Sequence, residues 1–468
     1  MPVKSASYNQ DTIVAIATPV GSGAISVIRL SGSKSLSYCM SHFKPSKKGL
    51  SAKNIESSKL YLGNFMADDQ IIDEVLISYF KSPASYTTED IIEISCHGSE
   101  FIQQKIIEIL IIAGARAADP GEFTLRAFLN GRIDLSQAEA VADLIASQSD
   151  SSHRIALNQM RGGISDKISI LRQKLLDFTS LIELELDFSE EDVEFANREQ
   201  FFSLITELQE ELSLLINSFS MGNVIKQGIP VAIIGKPNVG KSTLLNVILN
   251  EEKAIVSHIP GTTRDAIEDT IILSGYRFRF IDTAGLRQSD DVIEKIGIER
   301  TYDKIDQATI ILYVCDISNL SKEKIENVLE EFRNYIQDES KHFILVANKI
   351  DKLSQPPSHL KEILELDTVF VSAKRKENIN LLTDILVRTV KKFNITNDVI
   401  VSNSRHYQAL VNANNAMRQV EEGFNNNVPT DLIAIDIRQA LHELGTITGE
   451  ITTDEVLGNI FGKFCIGK

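Results

Sequence analysis

The sequence contains no apolar run that approaches the roughly 18 residues of a membrane-spanning helix. Its first residues show no long apolar core behind a basic start, so we expect no secretory signal. It has only four cysteines, scattered without the close spacing of a metal site: Cys39, Cys96, Cys315 and Cys465. These absences predict reduced thiols and a cytoplasmic location.

Positive charge is also scarce, because 48 Lys and Arg residues oppose 64 Asp and Glu residues and give a formal net charge of −16. This balance argues against strong nonspecific nucleic-acid binding by the chain alone, so any such role requires a local basic patch or a basic partner. The length of 468 residues allows about three domains, and 43% hydrophobic residues is ordinary for a globular protein with real cores. We find no internal repeat and no low-complexity tract in the sequence.

The most informative stretch is GKPNVGKSTLLN, residues 235–246, which has the pattern G-x-x-x-x-G-K-[ST]. It follows an apolar run at 231–234 that predicts a buried strand, and it opens a run at 241–250 that predicts a helix. A chance Gly-rich turn before a helix is the alternative, but the strand and the helix on either side favour a phosphate-binding loop.

Each residue type in this loop suits phosphate chemistry. Gly235 and Gly240 allow the backbone to turn tightly and to present N–H groups to phosphate oxygens. The helix N-terminus adds partial positive charge at the same place. Lys241 is expected to reach the β- and γ-phosphates, and the Ser242 hydroxyl to ligate Mg²⁺.

Two later segments predict recognition of the base. Asp351, in NKID, follows an apolar run, and its carboxylate can accept two hydrogen bonds from a guanine edge, which adenine does not offer. Asn348 and Lys349 are expected to brace this loop and the ring. The SAK segment, Ser372–Lys374, follows the next apolar run and is expected to contact the base through backbone N–H groups.

Two further segments predict the switch parts of a nucleotide site. In DTAG, Asp282 is the expected second-sphere Mg²⁺ carboxylate, and Gly285 can offer its N–H to the γ-phosphate. In GTTRD, Thr263 is the expected threonine that closes over Mg²⁺. The motifs in this order predict a guanine-nucleotide-binding domain of the P-loop type.

These motifs lack the residue that usually orients the attacking water. In Ras-like proteins a glutamine directly after D-x-x-G orients that water, but here the position is Leu286, which cannot polarise it. Hydrolysis must therefore be very slow or recruit another residue. The neighbouring loop offers Glu294, Arg287 and Asp291.

The periodicity of the remaining chain predicts a multidomain α+β and α/β protein. Residues 1–131 predict a mixed α and β domain, and 132–222 predict amphipathic helices that form the first half of a bundle. Residues 223–393 predict the α/β domain, and residues 394–468 are again helical. On this interpretation the α/β domain is inserted between two halves of one helical domain.

The motifs GKPNVGKS, SHIPGTTRD, DTAGLRQSDDVIEKIGIER, NKID and SAK resemble those of the tRNA wobble-uridine modification GTPases, the MnmE/TrmE family. The resemblance implies an inserted Ras-like P-loop GTPase domain whose hydrolysis is activated by K⁺ and by dimerisation of the GTPase domains. Asn238, Ser257, Ile259 and Thr262 match the positions that ligate K⁺. Glu294 matches the glutamate that orients water; an exposed acid at a helix start is the alternative for that residue.

The motifs and the resemblance together assign a set of residues to GTP. These are Asn238, Val239, Gly240, Lys241, Ser242, Thr243, Ser257, Thr262, Thr263, Asp282, Thr283, Ala284, Gly285, Asn348, Lys349, Asp351, Ser372, Ala373 and Lys374. The metal ligands among them are Ser242 and Thr263 for Mg²⁺. Arg264 and Arg287 are weaker candidates for a charge supplied in trans.

The resemblance continues at both ends of the chain. DTIVAIATPVGSGAISVIRLSG, SYTTEDIIEISCHG and PGEFTLRAFLNGRIDLSQAEAV are similar to the family's N-terminal domain, which dimerises and binds a tetrahydrofolate derivative, 5-formyl- or 5,10-methylene-tetrahydrofolate. By matching, Arg29, Glu93 and Arg132 contact the folate, although the third position is commonly lysine in the family. An ordinary ion pair is the alternative for Arg29 and Glu93.

The last residues, FGKFCIGK, resemble the family's C-x-G-K ending and imply that Lys468 lies toward the folate. Cys465 is a possible reactive thiol or merely a thiol of the tail, since an attacking thiol needs a lowered pKa. His97 and Cys96 are adjacent in a predicted strand and therefore point to opposite faces, so we expect structural roles for them.

The resemblance implies a homodimeric GTPase that works with a flavoprotein partner, MnmG/GidA, in a heterotetramer on tRNA, without a membrane. Its expected reaction adds a carboxymethylaminomethyl or aminomethyl group at carbon five of the wobble uridine. The alternative is a ribosome-assembly GTPase, a binding switch without base chemistry. A third interpretation is a signalling switch controlled by a separate activating protein.

Overall fold

The computed structural model describes residues 11–19, 21–47, 49, 51–187, 198–253, 269–281, 302–319, 321–338, 340–353, 367–392, 399–426 and 428–467. The chain forms two compact units. The first comprises Met1–Ile145, Asn158–Leu212 and Gln408–Lys468, and the second comprises Ala146–Leu157 and Ser213–Tyr407.

The first unit contains a seven-stranded sheet with the order β3-β4-β5-β6-β2-β1-β7. Its strands are β1 (Ile13–Ile16), β2 (Ile25–Ser31), β3 (Phe43–Pro45), β4 (Leu60–Ala67), β5 (Gln70–Phe80), β6 (Ile91–His97) and β7 (Arg116–Ala117). All neighbours pair antiparallel except β1 and β7. The helices α1 (Ser35–His42) and α2 (Glu100–Ile112) pack on one face of this sheet.

The two faces of this sheet differ because successive side chains of a strand point to opposite sides. One face forms a core with the helices, and its central members include Ile28, Leu30, Ile77, Ile92, Ile94 and Ile106. The opposite face carries Arg29 and Glu93, which lie directly across from each other in the register of β2 and β6. Toward β4 and β5 the same face leaves large apolar side chains exposed, among them Leu60, Leu62 and Leu76.

The rest of the first unit is helical. Its remaining helices are α3 (Glu122–Leu129), α4 (Leu135–Ala146), α5 (Asp150–Met160), α6 (Gly163–Asp187), α7 (Arg198–Gln227), α12 (Ser404–Asn425), α13 (Thr430–Thr448) and α14 (Asp454–Phe461). Of these, α4, α5, α7 and α12 also contain residues of the second unit. Helix α13 packs along α6. Gln209 of α7 donates to Glu421 of α12 at 3.0 Å, so helices from before and after the second sheet share one bundle.

The second unit contains a six-stranded sheet with the order β13-β12-β11-β8-β10-β9. Its elements are β8 (Ile229–Ile234), α8 (Lys241–Lys253), β9 (Asp269–Leu273), β10 (Tyr276–Phe280), β11 (Ile310–Asp316), α9 (Lys322–Glu331), α10 (Arg333–Ile336), β12 (His342–Asn348), β13 (Asp367–Val371) and α11 (Ile379–Lys392). Five strands run parallel, and β9 is an antiparallel edge strand. Every residue of β8 is buried, as expected for a central strand covered on both faces.

Most of the predicted elements are confirmed, including the strand before the phosphate loop and the helix after it. Helix α5, of residues 150–160, lies within the region 132–222 that was predicted to be helical. The predicted start of the α/β domain at residue 223 falls inside α7, which continues to Gln227. The acidic segment FSEEDVEF, residues 188–195, whose charges favour a solvated turn over a metal site, lies outside the described residues. Among the described residues, no helix is both long and apolar enough to span a bilayer.

Candidate functional site

The segment between β8 and α8 is a tight loop held close to neighbouring backbone. Gly235 has a φ of +138°, and a Cβ there would lie 2.1 Å from the carbonyl oxygen of Val314. Gly240 has a φ of +101°, and a Cβ there would lie 2.4 Å from Nδ2 of Asn348. Only glycine satisfies both the backbone conformation and the space at these two positions.

The side chain of Asn348 connects this loop to the two predicted base-recognition segments. The residue is 2% exposed. Its Nδ2 donates to the carbonyl of Val239 at 2.8 Å, and its Oδ1 accepts from the backbone N–H of Ala373 at 3.0 Å. The same oxygen accepts from the N–H of Lys349 at 2.8 Å. One buried amide therefore joins the phosphate loop, NKID and SAK.

Lys349 makes a second connection between the same loops. Its φ is +69°, and its ammonium donates to the carbonyl of Asn238 at 2.6 Å and to Oδ2 of Asp316 at 2.8 Å. Asp316 was not among the residues predicted from sequence. Burial alone would raise the pKa of Asp316, but hydrogen bonds from Lys349 and Ser318 outweigh it and hold that pKa below its ordinary value.

Asp351 is oriented by the loop that follows β13. Its Oδ1 accepts a hydrogen bond from Ser372 Oγ at 2.7 Å, and this bond lowers the pKa of the Asp351 carboxyl. Ser372 Oγ in turn accepts from the N–H of Arg375 at 3.1 Å. The carboxylate is therefore ionised at neutral pH and retains acceptor capacity for a ligand.

Lys241 and Ser242 occupy the first turn of α8, as the phosphate-loop pattern requires. The Lys241 ammonium donates to the carbonyls of Gly235 and Lys236, both at 2.8 Å. It therefore lies over the loop whose N–H groups would face a phosphate. A Ser242 hydroxyl at this helix start suits the all-oxygen shell that Mg²⁺ prefers.

Several predicted site residues lie outside the described residues. They are Ser257, Ile259, Thr262, Thr263, Asp282, Thr283, Ala284, Gly285, Glu294 and Lys468. The structure brings together the remaining residues that the sequence assigns to the nucleotide, because each lies at or just after the carboxyl end of β8, β12 or β13. No group of three or more His, Cys, Asp or Glu side chains that could hold a metal occurs in the described ranges.

A second candidate site lies on the sheet of the first unit. A cavity of about 450 Å³ is lined by Glu93, Tyr86, Asn130 and Arg132, among others. Arg29 donates through Nε to Glu93 at 2.9 Å, so the ion pair considered in the sequence analysis is present. Both Arg29 and Arg132 place their guanidinium groups over the Tyr86 ring, at 5.8 and 5.4 Å from its centre.

The C-terminal tail lies beside the same residues. Arg29 Nη1 donates to the carbonyl of Gly467 at 3.4 Å, and the N–H of Gly121 donates to the carbonyl of Cys465 at 3.4 Å. A Cβ on Gly467 would lie 2.1 Å from the carbonyl oxygen of Ile16, which explains a glycine at this position. The Cys465 thiol is exposed.

A buried ion network, not predicted from sequence, supports the loop that contains Tyr86. Arg126 is 6% exposed, and it contacts Glu89 at 3.1 Å, Asp11 at 2.8 Å and Glu122 at 2.9 Å. Burial would raise the pKa of Asp11, but hydrogen bonds from Arg116 and Arg126 outweigh it and lower that pKa. The network thus anchors Glu89, at the end of the loop whose residues Tyr86 and Thr88 line the cavity.

Two family models match this chain. A family model described as the MnmE helical domain matches residues 135–465, and one described as the GTP-binding protein TrmE N-terminus matches residues 12–132. A solved structure of an SsGBP variant aligns over 40% of this chain with a TM-score of 0.26, which is too low to bear on the fold.

Several curated relatives are described as tRNA modification GTPase MnmE, and three of them illustrate the similarity. The one from Christiangramia forsetii is 52% identical over 98% of this chain and 99% of its own length. The one from Flavobacterium johnsoniae is 52% identical over 98% of this chain and 100% of its own length. The one from Bacteroides fragilis is 50% identical over 98% of this chain and 100% of its own length. The chain therefore belongs to the MnmE/TrmE family of tRNA modification GTPases, and it is a GTP hydrolase.

Proposed function

We propose that this chain couples GTP hydrolysis to modification of carbon five of the wobble uridine in tRNA, with a tetrahydrofolate derivative as one-carbon donor. The observation that carries the nucleotide assignment is the buried Asn348 amide, which joins three loops whose motifs suit phosphate and guanine. We assign residues 1–131 to a folate-binding domain, 132–222 and 394–468 to a helical domain, and 223–393 to an inserted P-loop GTPase domain.

In this proposal the nucleotide is held at both ends. The phosphate loop and Lys241 bind the phosphates, Ser242 and Thr263 hold Mg²⁺, and Asp351 selects guanine. Asp282, Thr283, Ala284 and Gly285 complete the γ-phosphate side, and Glu294 orients water in place of the glutamine that Leu286 replaces. Asn238, Ser257, Ile259 and Thr262 would hold K⁺, which would stabilise negative charge that develops on the phosphates.

We propose that the cavity beside Glu93 holds the folate. A pteridine offers a donor-rich edge that a carboxylate such as Glu93 can accept from, and Tyr86 offers a ring for stacking. Arg29 is ion-paired to Glu93 and would contact the same end of the ligand, whereas Arg132 would offer its guanidinium to the anionic part. Arg132, which stands where lysine is common in the family, lines this cavity, and this position supports a contact role for it.

Equilibrium dialysis with 5-formyltetrahydrofolate tests this site. We expect the full chain to bind it, and Glu93→Gln to weaken binding by about tenfold or more, because a hydrogen bond to a charged group is lost. The matched control is Glu74→Gln, an exposed glutamate on β5 of the same sheet. Absence of binding by the unmodified chain favours the alternative of a ribosome-assembly GTPase, which needs no folate.

We propose that two copies associate through the sheet of the first unit. The face with Leu60, Leu62 and Leu76 exposes apolar side chains at 68%, 46% and 40%, and burial of such area drives association. We expect a dimer in sedimentation velocity, and Leu62→Glu together with Leu76→Glu to shift it to monomer. A monomeric unmodified chain at micromolar concentration contradicts this arrangement.

We further propose that a flavoprotein partner, MnmG/GidA in the family, supplies most of the tRNA-binding surface. The net charge of −16 supports this division of labour. Tight tRNA binding by this chain alone at physiological salt would contradict it.

A further inference from the structure

Asp316 lies at the carboxyl end of β11, and its two carboxylate oxygens have different partners. Oδ1 accepts from the N–H of Ser318 at 3.0 Å and from Ser318 Oγ at 2.6 Å. Oδ2 accepts from the Lys349 ammonium at 2.8 Å and lies 4.0 Å from the more exposed Lys352 ammonium. The side chain is 12% exposed, so the ion pair is largely shielded from water. One oxygen therefore shapes a local turn, and the other reaches a different strand end.

The pairing of β11 and β12 creates this contact. The parallel register places Asp316 opposite Asn348, so Lys349 follows directly beside it. The Lys349 ammonium also donates to the Asn238 carbonyl at 2.6 Å. A lysine side chain loses rotamer entropy when it is held in one geometry. A charge-assisted hydrogen bond to a carboxylate can offset that loss better than one to a carbonyl alone.

We propose that Asp316 is a positioning residue for guanine-nucleotide binding, which it serves by holding the Lys349 ammonium on the Asn238 carbonyl of the phosphate loop. This inference rests on the proposed nucleotide site. Lys349 then braces the base-recognition loop against the phosphate loop, and both loops keep the spacing that one bound nucleotide must span. Without the carboxylate, the ammonium turns to solvent more often and the two loops lose this connection.

A purely local role for Asp316 is the competing explanation, and the chain contains a matched control for it. Asp338 forms the same turn, since its Oδ1 accepts from the N–H of Ser340 at 2.9 Å and from Ser340 Oγ at 2.6 Å. Within the described part of the chain, Asp338 is in no ion pair with a lysine, because the Lys341 ammonium instead donates to the backbone carbonyls of residues 305, 306 and 308. Asp316→Asn and Asp338→Asn therefore perturb equal turns, and only the first removes a partner of Lys349.

The experiment measures the dissociation rate and affinity of a fluorescent GDP analogue, mant-GDP, on the full chain. We expect Asp316→Asn to speed dissociation about tenfold, the value of one hydrogen bond to a charged group. We expect Asp338→Asn to match the unmodified chain and Asp316→Glu to recover part of the loss. Thermal unfolding without nucleotide checks that both asparagine variants remain folded.

A double-mutant cycle with Lys349→Met distinguishes positioning from general destabilisation. If Asp316 acts through Lys349, Asp316→Asn adds little to the loss already caused by Lys349→Met. Additive losses, or equal effects of Asp316→Asn and Asp338→Asn, overturn the inference while leaving the nucleotide site intact. An unmodified chain that binds no mant-GDP overturns the proposed site and this inference together.

Discussion

Replacing Asp351 with asparagine is expected to change the base preference from guanine to xanthine. The Asp351 carboxylate can accept from both N–H donors on one edge of guanine, whereas asparagine presents an NH₂ to one of them. A hydrogen bond to a charged group is worth about 1.5–3 kcal/mol, and the substitution removes one of the two, so GDP affinity should fall by about tenfold to about a hundredfold. Xanthine carries a carbonyl at that edge and should gain affinity. Titration with mant-GDP and with the xanthine analogue measures both changes.

Two further variants define the role of Asp351. Ser372→Ala removes the hydroxyl that donates to the Asp351 carboxylate at 2.7 Å, so it should weaken guanine binding severalfold without any gain for xanthine. Asp384→Asn, an exposed position on α11, should change neither. Unchanged base preference in Asp351→Asn would show that another residue selects the base.

GTP turnover in K⁺ is expected to exceed turnover in Na⁺ by about a hundredfold, the scale of removing one preorganised charge-stabilising group. Asn238→Gly should lower turnover in K⁺ toward the Na⁺ value while changing mant-GDP affinity only severalfold. Glycine is the appropriate substitution because Asn238 has a φ of +61°, which alanine adopts only with strain. Steady-state phosphate release in the two salts provides the measurement.

The control for this substitution is Asn378→Gly. Asn378 is also exposed and has a φ of +60°, but it follows β13, away from the phosphate loop. It should keep the full K⁺ response. Equal turnover in K⁺ and Na⁺ for the unmodified chain would remove the ion-assisted mechanism and favour a switch that depends on a separate activating protein.

The strands and the phosphate loop of the second unit could be predicted because local sequence determines them. A fully apolar run such as β8 requires burial on both faces, and Gly235 and Gly240 stand where no side chain fits. The contact between Asp316 and Lys349 could not be predicted, because it depends on the register of two strands that are distant in sequence. Asp316 contacts Lys349 only because this register places the carboxyl ends of β11 and β12 side by side.

The cavity of the first unit also combines residues that the sequence identifies with contacts that it does not predict. Arg29 and Glu93 were identified through a resemblance, whereas the supporting contacts of Arg126 to Glu89 and Asp11 join segments far apart in the chain. A charged residue in an amphipathic segment such as α3 normally predicts an exposed position. Arg126 is instead buried, because three carboxylates surround it.

The Asn348 amide has a thermodynamic consequence for ligand entry. Hydrogen bonds within the protein already join the three loops. The entropy cost of ordering these loops is therefore part of the free energy of folding and not of the free energy of nucleotide binding. If these loops hold the nucleotide as proposed, its binding does not have to order them, and association can be fast and nearly rigid-body.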